Sequence, residues 1–145
     1  MTPPLAPAGY SGTPLAQKLG LKDGQRVLFL DLPDSLGELA EARHFKEVSR
    51  TGWDRLSVAK SVDVVHGFTT RRAELEQAAI PLQQSIAKDG MVWISWPKQA
   101  SKIKTDITED VIREVLLPTG LVDVKVCAVD PVWSGLKLMI RKELR

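Results

Sequence analysis

The chain predicts an α/β protein of three layers, a mostly parallel sheet sandwiched between helices and ending in an antiparallel C-terminal hairpin. Three features predict it. The runs "RVLFLDL", "SVDVVHGFTT" and "MVWISWPK" are apolar enough to be strands covered on both faces. Stretches with apolar residues at helical spacing separate them. Residues 121–141 hold two alternating segments joined by a turn too short for a crossover.

Each element has its own signal. Thr13 can cap a short helix with Pro14 at its first position; Leu15 and Leu19 share its face and Gly20 ends it. Lys22, Asp23 and Gly24 turn the chain into a strand near 26–32. Ser35 and Glu38 have capping-box spacing before a helix near 36–43, with Leu36, Leu39 and Ala40 as its buried stripe. A weaker strand is expected near 45–50, and "TGWDRLSVAK" has no clear period. Residues 61–70 form the central strand. Leu75, Ala78, Ala79, Leu82 and Ile86 mark the next helix, stopped at Asp89-Gly90. Proline inside a helix costs about 3 kcal/mol, so Pro81 predicts a kink or two short helices meeting near Ile80. A strand follows, closed by Pro97. Asp106 or Thr108 then caps a helix with Glu109 and Asp110 in its first turn, where carboxylates suit the helix dipole. Pro118 and Gly120 end it. Val122, Val124, Val126 and Ala128 alternate with Asp123, Lys125 and Cys127, as in an edge strand with one wet face. Leu136, Leu138 and Ile140 form the returning strand.

A chain of 145 residues, 43% of them hydrophobic, supports one core, so a single domain is expected over 13–145 behind a loosely ordered Pro/Ala arm at 1–12. The net charge of +2, with acids and bases intermixed, gives no broad footprint for nucleic acid. Cys127, the single cysteine, has neither a disulfide partner nor a zinc-ligand pair, which favours a reducing, cytoplasmic setting. The sequence offers no signal peptide and no bilayer-spanning run, so no membrane partner is expected. His44 and His66 lack a third ligand at metal spacing, and no metal is expected. His66 alternates with Val62 and Val64, as a hydrogen-bonded core histidine does. Cys127 lies in a strand with nothing to lower its pKa and reads as an inert thiol. There is no nucleophile elbow and no P-loop.

The order of elements resembles the Rossmann-like fold of S-adenosylmethionine-dependent methyltransferases, carried by "LGLKDGQRVLFLD" and "SVDVVHGFTT…LQQSIAKDGMVWISWPK". More narrowly, "GYSGTPLAQKLGLK", "WPK", "TDITEDVIREVLLPTGLVDVKVCAVD" and "WSGLKL" resemble a family of small bacterial proteins known only as a domain of unknown function. The methyltransferase resemblance implies a glycine-rich cofactor loop after the first strand. If Asp31 takes the motif's acidic position, its glycines fall on Pro33, Ser35 and Gly37; starting at Arg26 puts them on Asp31, Pro33 and Ser35. At most one glycine is retained, and proline also removes an amide donor. The resemblance further implies an acidic residue for a ribose after the next strand, at Asp54. Residues 32–61 leave little room for the two strands and two helices of a complete methyltransferase.

Ligands of open parallel sheets sit outside the carboxyl ends of the strands. That rule selects Asp31, Asp34 and Ser35, then Thr69, Thr70 and Arg71, then Trp96, Pro97 and Lys98. The hairpin turn adds Trp133, Ser134 and Gly135 to the same edge. An aromatic pair beside a mixed-charge rim suits a planar or phosphorylated ligand. Each residue also has a plainer reading: capping for Asp31, Asp34 and Ser35, solvation for Arg71 and Arg72, packing for Trp96 and Trp133. Lys98, Ser101, Lys102 and Lys104 before a helix N-terminus form an anion trap or an ordinary loop. The leading expectation is a binding or regulatory module with no cofactor, serving an unidentified small-molecule or protein partner. The alternatives are a divergent S-adenosylmethionine-dependent methyltransferase, or another nucleotide-binding enzyme, using the loop from Asp31 to Gly37 with Trp96, Lys98 and Trp133, and a subunit that docks through its apolar edge. The Tyr10-Ser11-Gly12 segment is expected to fold back over the pocket.

Overall fold

The computed structural model describes residues 14–56 and 61–145. The arm at 1–12, the Thr13 cap and the fold-back of Tyr10-Ser11-Gly12 lie outside the described residues. The described residues run α1 (Leu15–Lys18), β1 (Arg26–Leu30), β2 (Glu47–Thr51), β3 (Val62–Phe68), α2 (Arg72–Ser85), β4 (Ile86–Pro97), α3 (Glu109–Leu116), β5 (Leu121–Ala128) and β6 (Trp133–Ile140), with 3₁₀ turns among them and after β6. The strands form one sheet in the order β2-β1-β3-β4-β6-β5. The first four are parallel, and β6 runs antiparallel to both β4 and β5.

Two apolar clusters make the three layers. On one face α2 and α3 bury Leu75, Leu82, Ile112 and Leu116 against Val65, Ile94, Leu136 and Leu138. On the other, α1 and the turn after β1 bury Leu19, Leu36 and Leu39 against Phe29, Val64 and Trp93. The central strands are dry on both sides, which is why they read as unbroken apolar runs. His66 is buried in β3, hydrogen-bonded through Nε2 to Ser95 Oγ at 2.7 Å and stacked on Phe68 at 4.3 Å. Burial holds its imidazole neutral, with a pKa of about 3.

Several local expectations change. The segment after β1 is a 3₁₀ helix, Asp34–Glu41, entered from an extended Pro33, with no side-chain cap from Ser35. Leu36 and Leu39 are three apart, and a three-residue turn puts both on the sheet. Helix α2 continues through Pro81 instead of dividing near Ile80. Leu75 and Leu82, fully buried on either side of the proline, hold both halves to the sheet, each worth about 1.5–3 kcal/mol against one lost hydrogen bond. The chain enters β4 at Ile86, earlier than the Asp89-Gly90 stop, because residues 87–90 form an irregularity in the β3–β4 register. Gly90 permits it: a Cβ there would lie 3.0 Å from the carbonyls of Ala87 and Asp63. Thr108 caps α3 by accepting from Val111 N–H at 3.1 Å. Asp106 instead caps α2 from afar, accepting from Arg72 N–H at 2.6 Å.

Strand β5 is an edge, as expected, but it keeps no single wet face: Val122 pairs with Met139 and Val126 with Leu136, on opposite faces of the sheet. Val122, Val124 and Val126 are 38–48% exposed, while Asp123 and Cys127 are partly buried. A register shift between Asp123 and Lys125 breaks the alternation, and Arg113 of α3 draws Asp123 inward at 2.9 Å.

Candidate functional site

A cavity of about 380 Å³ opens at the carboxyl edge of the parallel strands, between the turn after β2 and the outer side of α2. Its size suits a small ligand. The short 3₁₀ turn Trp53–Arg55 follows β2 and places Trp53 in the lining, where the indole is buried and donates from Nε1 to Phe68 O at 2.8 Å. The benzo ring of the indole packs against Gly67 of β3. A Cβ on Gly67 would meet Trp53 Cζ2 at 2.4 Å and Cη2 at 2.5 Å, so only glycine admits the ring. Leu56, Ala78 and Pro81 supply apolar wall, and Asp54, Arg71, Glu74 and Gln77 supply polar groups. Since Pro81 has no amide to bond the Gln77 carbonyl, two cavity-lining residues meet at the one gap in the helix ladder.

The polar side is tied by α2's first turn. Thr69 Oγ1 donates to Glu74 Oε1 at 2.8 Å and accepts from Arg71 N–H at 3.1 Å, and Arg71 pairs with Glu74 at 3.0 Å. Asp31, just past β1, has a left-handed backbone (φ 54°) and donates its N–H to Thr51 O. Gly52 sits beside two carboxylates: a Cβ there would lie 2.8 Å from Asp54 Oδ1 and 3.5 Å from Asp31 Oδ1. Partial desolvation, then Glu74 and Asp54, push the Asp31 carboxyl above its ordinary pKa, opposed by Arg71. Three acids thus crowd one guanidinium that is already paired. The arrangement favours a ligand bearing hydroxyls or positive charge over a second anion. Among the described residues no cluster of His, Cys, Asp and Glu fits a metal ion.

Of the residues selected from sequence, Arg71 and Asp54 line this cavity and Asp31 stands beside it, coupled to Asp54 and Glu74. The others do not line it. Asp34 and Ser35 are exposed on the 3₁₀ helix, Asp34 lying 4.0 Å from Arg50. Thr70 is structural, its carbonyl accepting from Thr105 Oγ1 and Asp106 N–H. Trp96 is core beneath α2 and α3, whereas Trp133 lies on the opposite face, edge-on to Phe68 at 5.3 Å. The two tryptophans therefore form no clamp: Trp96 pairs with Ser134 and Trp133 with Pro97, one register position apart. Lys98 anchors the hairpin through its N–H to Val132 O at 2.7 Å. The lysine loop leads into α3, whose first turn carries Glu109 and Asp110 and whose Val111 amide Thr108 already serves. Trp53, Glu74, Gln77 and Pro81 escaped sequence reasoning. Two signals were present: "GWD" directly after a strand, and a glycine within the central strand.

No family model matches this chain, and a comparison with curated proteins finds no match. Solved structures do match. A magnesium protoporphyrin IX methyltransferase from Synechocystis with bound SAH superposes with a TM-score of 0.61 at 14% identity, over 88% of this chain and 78% of that one. The N-methyltransferase NodS from Bradyrhizobium japonicum gives 0.54 at 10%, over 83% and 84%. A fibrillarin pre-rRNA processing protein from Methanococcus jannaschii gives 0.54 at 11%, over 83% and 69%. At these identities the likeness is one of fold: a methyltransferase-like, Rossmann-like sheet with a C-terminal antiparallel hairpin. No described helix is long and apolar enough to cross a membrane.

Proposed function

We propose that this protein is a binding module, not a methyl-transferring enzyme, and that it receives a nucleoside-sized, hydroxyl-bearing small molecule in the cavity lined by Trp53, Asp54, Arg71 and Glu74. On this reading it belongs with the small bacterial proteins that its sequence resembles. The observation that carries the proposal is the form of the crossover after β1. Pro33 enters a 3₁₀ helix in an extended conformation, and side chains stand where a glycine loop would bring backbone amides to a cofactor. The part of S-adenosylmethionine beyond the ribose has no cradle there, while Asp54 after β2 keeps a carboxylate for a ribose.

A second reading, a divergent methyltransferase, draws on Asp54 and on the bound SAH of a structural neighbour. Thermal-shift titration with adenosine, S-adenosylmethionine and S-adenosylhomocysteine tests the cavity. A ligand at one hundred times its dissociation constant adds about 2.7 kcal/mol of stability. Adenosine should raise the melting temperature of the wild type and leave Asp54→Asn unmoved. A wild type that none of the three ligands shifts contradicts the proposal.

A further inference from the structure

On the sheet face opposite α2 and α3, the antiparallel end gathers lysines. Lys125 of β5 and Lys137 of β6 are direct cross-strand partners. Like charges so placed, with Cβ atoms about 5 Å apart, destabilise an antiparallel pair. Lys22, in the turn between α1 and β1, acts on the same amine: burial, then Lys125 and Lys22, lower the Lys137 pKa. Lys18, the last residue of α1, donates from Nζ to Ala128 O at 3.2 Å and, with Lys125, flanks Cys127.

The acids nearest in sequence are turned away. Asp23, next to Lys22, accepts from His44 N–H at 2.7 Å. Asp123, two residues before Lys125, is carried by the β5 register shift to Arg113 on the other face. Among the described residues, none of these four lysines is ion-paired with a carboxylate.

We propose that Lys22, Lys125 and Lys137, bordered by Lys18, form a binding site for phosphate groups. A cross-strand lysine pair with further lysines at its border calls for an anion with several acceptor oxygens, which a phosphate monoester supplies with a charge near −2 and successive backbone phosphodiesters supply with one charge each. The source is either a small phosphorylated molecule or a nucleic-acid backbone. The site is independent of the Trp53 cavity, which lies across the sheet.

Pyrophosphate and a single-stranded 12-mer oligonucleotide are titrated at constant ionic strength, with binding read by calorimetry and melting temperature. At least one should bind, and Lys125→Gln with Lys137→Gln should weaken it tenfold or more. Lys125→Gln alone should melt higher than wild type without ligand, because the repulsion is gone. Lys88→Gln should bind as wild type, and Asp54→Asn should also, which separates this site from the cavity. Tighter binding of the oligonucleotide assigns the source to nucleic acid, and tighter binding of pyrophosphate to a small molecule. The proposal is overturned if neither shifts the protein more than chloride does, if the lysine variants bind unchanged, or if poly-glutamate binds in preference to both.

Discussion

Gly67→Ala probes the seating of Trp53 directly. The new methyl would lie 2.4–2.5 Å from two indole carbons, in a central strand whose backbone is fixed by β1 and β4 on either side. The ring must swing out, which breaks its bond to Phe68 O. Overpacking costs about 1–3 kcal/mol, and a buried carbonyl left without its donor costs about 1–3 kcal/mol. The sum, about 2–6 kcal/mol, is a large part of a domain's usual stability, and at about 3–4 °C per kcal/mol for this size it lowers the melting temperature by roughly 6–24 °C. Calorimetry and urea denaturation measure it. Gly37→Ala is the control, since its Cβ would meet only Arg50 Nη1 at an ordinary 3.6 Å. In a Trp53→Ala background the same change should cost about 1 kcal/mol or less, because the clashing ring is absent. Gly67→Ala within about 0.5 kcal/mol of wild type, or full additivity of the pair, would refute the reasoning.

Three further outcomes follow from the structure. His66 is neutral in the fold down to about pH 3, whereas in the unfolded chain it takes a proton near pH 6.5. Its contribution is therefore complete above pH 6.5 and is lost as pH falls toward 3, at up to about 1.4 kcal/mol per pH unit; proton uptake on unfolding at pH 5 should drop by about one in His66→Gln, and an NMR titration of His66 between pH 4 and 8 should be flat. Asp106→Ala and Thr108→Ala should each cost about 1 kcal/mol in chemical denaturation, with hydrogen exchange rising at the start of α2 for the first and of α3 for the second. Pro81→Ala restores an amide donor for the Gln77 carbonyl and should stabilise by about 1–3 kcal/mol, read as a higher urea midpoint.

What the sequence made legible was whatever local chemistry decides. The dry strands, the edge hairpin, the Thr108 cap and the buried His66 follow from periodicity and residue type. What escaped depends on contacts distant in sequence. Trp53 becomes cavity lining only because Gly67, fourteen positions later, leaves room for it. Asp106 caps a helix that begins 34 residues earlier. Trp96 and Trp133 reach the same sheet edge, but a register of one position sends them to opposite faces, which no reading of either strand alone reveals. The alternation along β5 breaks at the register shift after Asp123, whose carboxylate Arg113 holds at 2.9 Å, so Val122 and Val126 lie on opposite faces and both reach water.

On the proposed function, the crossover after β1 offers no seat to the portion of a cofactor beyond its ribose. The ratio of the S-adenosylhomocysteine and adenosine dissociation constants, measured by isothermal titration calorimetry on the wild type, tests it most directly. Equality within about threefold, or roughly 0.7 kcal/mol, is the expected result. S-adenosylhomocysteine binding one hundred times more tightly than adenosine, about 2.7 kcal/mol, would contradict it.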